Sequence, residues 1–203
     1  MPPKNIVLFG QTGAGKSSVV NLIAGEDRAP TSPDMNRCTM DWKEYPITFD
    51  GYDYRVFDTV GLMEPQLGSE EHPDAIENAR TLITELDNEG GVDLLIFCLR
   101  PRRSTAAIEN NYRRFCTELL RNQKIPIILV VTGLEGEEIM EDWWLRNKDT
   151  FDKYNIVLDG HACIIAASLD GRHQQLYKES RQLVRDLIKE HTQGISKIRA
   201  ILH

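Results

Sequence analysis

A chain of 203 residues, 41% hydrophobic and 27% charged, is long enough for one well-cored α/β domain, and its composition excludes a disordered or membrane-embedded class. The 24 Lys and Arg against 31 Asp and Glu leave a formal charge of −7, a field that repels nucleic acid and anionic membrane. No nucleic-acid partner is therefore expected, and any phosphate must be held by a local device.

The first stretch, MPPKNIVLFG, has neither the basic segment nor the long apolar region of a leader, and its second residue is Pro, which excludes a myristoyl signal. No apolar run approaches the ~20 residues of a membrane helix. Cys38, Cys98, Cys116 and Cys163 are scattered without CxxC spacing, as expected of reduced thiols. Together these features predict a cytoplasmic protein.

In chain order, NIVLF at 5–9 is a short apolar run bounded by glycines, the pattern of a strand buried on both faces. Residues 16–24, KSSVVNLIA, read as a helix ending before Gly25, and the Pro- and Ser-rich stretch 27–37 as an exposed loop. DWKEYPITF and YDYRVFD flank Asp50-Gly51, a hairpin signal. Residues 59–73 lack periodicity. A helix follows over 74–86, and VDLLIFCLR at 92–100 is a second buried strand.

Ile108, Tyr112, Phe115, Leu119 and Leu120 mark one side of a helix over 105–121, and IPIILVV at 125–131 is a third buried strand. A polar, Trp-bearing helix is expected over 137–154, a last strand over 162–168 and a closing helix over 174–191. Strands alternating with helices, interrupted by one hairpin, predict an α/β three-layer fold: a mostly parallel sheet, one antiparallel edge strand, and helices on both faces. One domain spans 1–203, with 192–203 as a helical extension.

The first strand runs straight into Gly10-Gln11-Thr12-Gly13-Ala14-Gly15-Lys16-Ser17, which matches GxxxxGK[ST] in the strand-to-helix setting that motif requires. Glycines let successive backbone N–H groups turn inward around phosphates, and the helix beginning at Lys16 aims its positive dipole end at the same point. Lys16 adds a mobile point charge for the outer phosphates. Ser17 offers a hydroxyl to Mg2+, and Ser18 continues the first turn.

Asp58 closes a strand and opens DTVG. A carboxylate there can hold Mg2+ through water, and the Gly61 N–H can approach the terminal phosphate. Thr39, or in competition Thr31, can complete the metal shell from the first loop.

These motifs together resemble the TRAFAC class of GTPases. GQTGAGKSS followed by DTVGL is most similar to its septin-like branch: septins, the chloroplast import (Toc) GTPases, the GTPases of immunity-associated proteins (GIMAP), and related fungal G domain-containing proteins. The resemblance covers about residues 4–190. It implies a P-loop NTPase fold, GTP and GDP as ligands, Mg2+ as cofactor, and Lys16, Thr39 and Gly61 as catalytic residues.

It also implies an [NT]KxD turn that reads guanine, which maps to Thr132-Gly133-Leu134-Glu135. Thr132 fits, Gly133 lacks the lysine stem, and Glu135 is one methylene longer than the expected Asp. Two carboxylate oxygens suit the N1–H and exocyclic amine of guanine, whereas adenine offers no such donor pair. Alternatively, Glu135 only starts the acidic helix after it. A last backbone turn maps to Ala166-Ala167-Ser168-Leu169, with Ser168 at the base.

A Ras-like enzyme would carry a water-orienting Gln after DxxG, where this chain has Leu62. Gln11, Thr12, Glu64, Glu70, Glu71 and His72 are substitutes, and Arg28 or Arg37 a candidate charge-stabilising finger. Such GTPases often pair across the nucleotide face, so a nucleotide-dependent homodimer is expected. Two alternatives stand beside a GTPase: an ATP-hydrolysing or dual-specificity NTPase, and an assembly switch with little turnover. RPRRS at 100–104 reads as a solvated surface or partner contact, and Trp143 and Trp144 as packing residues. The apolar spacing of ISKIRAILH makes the C-terminal helix a membrane or partner contact if it does not dock on the domain.

Overall fold

The computed structural model describes residues 2–29, 42–59, 73–101, 109, 112–113, 124–167 and 172–193. Six strands form one sheet in the order β2-β3-β1-β4-β5-β6. They are β1 (Lys4–Phe9), β2 (Trp42–Phe49), β3 (Tyr52–Thr59), β4 (Leu94–Leu99), β5 (Ile127–Val131) and β6 (Gly160–Cys163). Only the β2/β3 pair is antiparallel, and β2 lies at one edge of the sheet. Among the described residues four helices of defined extent surround the sheet: α1 (Lys16–Ala24), α2 (Pro73–Asn88), α3 (Glu141–Lys153) and α4 (Arg172–Thr192). The expected fold is the observed one.

Strand periodicity divides the core between the two faces. Ile6 and Leu8 of β1 point one way, into a cluster with Val20 and Ile23 of α1 and Val184 and Ile188 of α4. Val7 and Phe9 point the other way, toward Leu82 and Leu86 of α2 and Phe151 of α3. Both faces of β1, β4 and β5 are covered, which is why their sequences are unbroken apolar runs. β2 instead alternates, with Tyr45, Ile47 and Phe49 inward. At the hairpin tip Asp50 and Gly51 take φ values of 51° and 81°, the two positive angles of a type I′ turn. Lys189 of α4 pairs with Asp50 at 2.5 Å and ties that tip down.

Two element boundaries differ from expectation by more than two residues. The last strand is Gly160–Cys163, not 162–168: the Ile164 N–H still reaches the Val131 carbonyl at 2.9 Å, but β5 ends there, and among the described residues 165–167 have no strand to pair with. Ile164 and Ile165 remain fully buried, so their hydrophobicity reports core position and not pairing. The Trp-bearing helix begins at Glu141, not 137, because a turn closed by the Glu137 N–H on the Leu134 carbonyl at 3.0 Å intervenes. Of the expected helix 105–121 only 109, 112 and 113 are described. Tyr112 packs on Phe97, and its hydroxyl exchanges hydrogen bonds with the Val157 backbone at 2.9 and 3.0 Å. The extension beyond 193 lies outside the described residues.

Candidate functional site

The helix after β1 lies on one face of the sheet and the helix after β3 on the other. The boundary between these adjacent parallel strands is thus a switch point, where a crevice opens at their C-terminal ends. The phosphate loop and Asp58 meet there.

The loop is shaped by close approach. Gly10 has φ 145°, and a β-carbon on it would stand 2.3 Å from the Cys98 carbonyl of β4. Gly15, at φ 88°, lies so near Thr132 that a β-carbon would stand 2.9 Å from its hydroxyl. Between them the Ala14 N–H donates to the Gln11 carbonyl at 3.0 Å. Gly15 caps α1 without a side-chain hydrogen bond, and the first turn holds no acid, so its N–H groups are left for an external anion.

Lys16 folds back over this loop, its Nζ donating to the carbonyls of Gly10 and Gln11 at 3.2 Å each. Burial pushes its pKa down, against the opposing pull of Asp58. The Ser17 hydroxyl donates to Asp58 Oδ2 at 2.6 Å. Burial pushes the Asp58 carboxyl up, with the Ser17 bond and Lys16 acting the other way. A half-buried carboxylate beside a hydroxyl is a hard-oxygen donor pair that lacks a full positive counter-charge, which fits Mg2+. The next residue fixes the strand end: the buried Thr59 hydroxyl donates to the Leu8 carbonyl at 2.8 Å.

Thr132 leaves β5 with its hydroxyl donating to the Ala14 carbonyl at 2.8 Å, a bond across 118 residues. Gly133 follows at φ 75°. Glu135 is half-buried, and among the described residues none hydrogen-bonds or ion-pairs with its carboxylate. The acids in the first turn of α3 are Glu141 and Asp142, so Glu135 is not the residue that starts that helix.

The structure thus brings together Gly10, Gln11, Gly15, Lys16, Ser17, Asp58 and Thr132, and sets Glu135 on the same turn as Thr132. Thr12 and Gly13 are exposed on the loop, and Ser18 is half-buried on α1. Gln11 is buried, and among the described residues its Oε1 has no hydrogen-bond partner. Arg28 is held by Glu26 at 2.5 Å and by the Pro46 carbonyl in mid-β2, not by phosphate-loop residues. Trp143 packs edge-on against Phe151, and Trp144 stacks on His161 with ring centroids 4.2 Å apart.

Thr39, Gly61 and Ser168 lie outside the described residues, as do Thr31, Arg37, Leu62, Glu64, Glu70, Glu71 and His72. Sequence reasoning gave no role to Thr59. Thr59 sits inside the DTVG motif itself, where a β-branched hydroxyl at a strand end could have been read as a clasp.

Fold and site together define a P-loop nucleoside triphosphatase. Residues 5–133 match the 50S ribosome-binding GTPase family, and the chain belongs to it. It is similar to the tRNA modification GTPase MnmE of Treponema denticola, 33% identical over 127 residues, covering 63% of this chain and 25% of the relative. Immune-associated nucleotide-binding protein 7 of Arabidopsis thaliana is 31% identical over 156 residues, covering 74% of this chain and 49% of the relative. Toc33 from Arabidopsis thaliana, solved with GDP and Mg2+, shares the fold with a TM-score of 0.64 at 17% identity, covering 95% of this chain and 86% of that one. The chain spans about half or less of the length of these curated relatives. The family is one of GTPases, and the two relatives are a GTPase and a nucleotide-binding protein.

Proposed function

We propose that this chain is a guanine-selective, magnesium-dependent GTPase unit of the GIMAP and Toc type, cleaving the β–γ bond of GTP with water as nucleophile. The observation that carries base selectivity is Glu135, without a partner among the described residues, outside α3 and one short turn from the hydroxyl that clasps the phosphate loop. In this reading its two oxygens accept the paired N–H donors of guanine. Lys16 and the backbone N–H groups of 10–17 stabilise charge growing on the transferred phosphoryl group. Ser17 and Asp58, with Thr39 as a third oxygen donor, would hold Mg2+, which would supply positive charge to the transferring phosphoryl group.

A competition titration of GTP, ATP and their diphosphates with magnesium, repeated for Glu135→Ala, tests this. A lost hydrogen-bond pair to a charged acceptor is worth about 1.5–3 kcal/mol, so the variant is expected to lose on the order of 10- to 100-fold of its preference for guanine. An unchanged preference would remove Glu135 from base recognition, and a parent that binds GTP and ATP alike would instead be an ATP-hydrolysing or mixed-specificity enzyme.

A second reading has its own support. Leu62 stands where an orienting glutamine would serve water, which favours an assembly switch with slow intrinsic turnover. Dimerisation is important for the GTPase activity of the chloroplast translocon component Toc33, and a nucleotide-dependent homodimer is proposed here on that likeness. Single-turnover hydrolysis as a function of protein concentration decides it: a rate that stays at the buffer value at all concentrations makes the chain a binding module. A cytoplasmic site of action belongs to the same proposal, supported by the free, buried thiols Cys98 and Cys163.

A further inference from the structure

Gly133 interrupts the turn that carries Thr132 and Glu135, and the space over it is filled from the neighbouring strand. A β-carbon on Gly133 would stand 2.8 Å from Arg100 Nε, 3.2 Å from its Cγ and 3.5 Å from its Cδ. The stem of Arg100 therefore lies across the bare backbone of Gly133. Arg100 follows Leu99, the last residue of β4, and Leu99 is in register with Val131 of β5. It leaves the sheet at the same C-terminal edge as the phosphate loop and the Thr132 turn.

Arg100 is one of the surface cations with no acid beside it among the described residues. It is exposed, and among the described residues none hydrogen-bonds or ion-pairs with it. By contrast Arg28, Arg55, Arg80 and Arg146 are each paired with a glutamate. In a chain of net charge −7, an arginine left unpaired at the ligand-binding edge is a candidate for a contact made only with ligand. Its stem is steered by Gly133, so its planar guanidinium is delivered alongside the position of a base read by Glu135. A guanidinium against a purine face gains both stacking and cation–π attraction.

We propose that Arg100 is a nucleotide-binding residue that flanks the purine ring, reaching from the end of β4 into the space Gly133 leaves open. This rests on the reading that the base lies at the Thr132 to Glu135 turn. A face contact recognises a purine and not its hydrogen-bonding edge, so Arg100 contributes affinity for the nucleoside and Glu135 the choice of guanine. Gly133 serves it by having no side chain: a larger residue there would displace the arginine stem.

The test is equilibrium binding of GDP, ADP and inorganic pyrophosphate, with magnesium, to the 203-residue chain, to Arg100→Ala and to Glu135→Ala. Arg100→Ala is expected to weaken GDP and ADP alike by about tenfold, the equivalent of ~1.4 kcal/mol, and to leave pyrophosphate within about twofold. Equal weakening of pyrophosphate would overturn the proposal, because Arg100 would then act on the phosphates. A GDP affinity within about twofold of the parent would overturn it as well.

Arg100 is exposed, so the nucleotide-free melting temperature is expected to hold. If it falls, Arg100→Gln, which keeps most of the stem over Gly133, must show the same nucleoside-against-pyrophosphate split, and its absence overturns the proposal. The two readings fail separately. Without guanine selectivity, the parent binds GDP and ADP equally and Glu135→Ala changes neither, while the Arg100→Ala loss stands. Without the Arg100 contact, only the Glu135→Ala effect remains.

Discussion

Replacing Gly10 with alanine tests whether the phosphate loop is shaped by its approach to β4. The new β-carbon would stand 2.3 Å from the Cys98 carbonyl oxygen and 3.2 Å from its carbon. Those atoms are backbone, held by the pairing of Phe97 with Phe9 on one side and Cys98 with Val130 on the other, so they cannot step aside as a side-chain tip would. The φ of 145° adds a second cost, since L-residues rarely adopt it. Backbone strain of about 1–3 kcal/mol and overpacking of about 1–3 kcal/mol give a loss of about 2–6 kcal/mol. That is a large share of the roughly 5–15 kcal/mol that stabilises a typical domain.

Gly51→Ala is the control. It also has a positive φ, 81°, but nothing lies within 4 Å of its β-carbon, so it carries the backbone cost alone, about 1 kcal/mol. Urea unfolding of the nucleotide-free chain, monitored by tryptophan fluorescence and by circular dichroism, is expected to lower the Gly10→Ala midpoint well below that of Gly51→Ala. With a slope on the order of 2 kcal/mol per molar, the gap is about 0.5–2.5 M. Coincident midpoints would show that the clash is relieved at no cost and would refute the argument that β4 fixes the loop.

Three further outcomes are expected. Burial raises the Asp58 pKa, so the fold favours the neutral acid: that contribution is complete below about pH 4 and is lost as pH rises through the raised value. Nucleotide-free Asp58→Asn should therefore melt like the parent near pH 4 and above it at pH 7.5, and a parallel pH profile for the two would contradict this. Thr132→Val removes the donor to the Ala14 carbonyl while keeping the shape, at about 1–3 kcal/mol, and should weaken GDP binding by calorimetry on the order of tenfold or more. Burial pushes the thiols of Cys98 and Cys163 up to about 12, so alkylation of the folded chain at pH 8, read by peptide mass mapping, should spare both until denaturant is added.

Much of the fold was legible because its signals are local. Asp50-Gly51 marks the hairpin through its own backbone angles, and the phosphate loop is written in consecutive residues between a strand and a helix. The boundaries that shifted depend on partners elsewhere. The apolar run after Cys163 continues because the core continues, while strand pairing stops where β5 stops. The start of α3 could not be read from the acids between 135 and 142, since any of them can stand at a helix N-terminus and the intervening turn decides which one does.

The least legible part of the site is the approach of Arg100 to Gly133. A glycine where a side chain was expected reads as a loss in the sequence. Only the register of β4 against β5 brings a second side chain over it, and nothing in either local pattern encodes that contact.

The bond from the Thr132 hydroxyl to the Ala14 carbonyl has a kinetic meaning. In the proposed nucleotide complex, the element facing the base and the element facing the phosphates are already latched to each other through protein alone. Ligand binding then spends none of its free energy on drawing them together, because that ordering was completed when the chain folded. Capture of a nucleoside diphosphate should proceed as a single bimolecular phase whose rate rises linearly with ligand concentration. A slow concentration-independent phase, if seen with the triphosphate alone, would belong to the segments contacting the terminal phosphate and not to this latch.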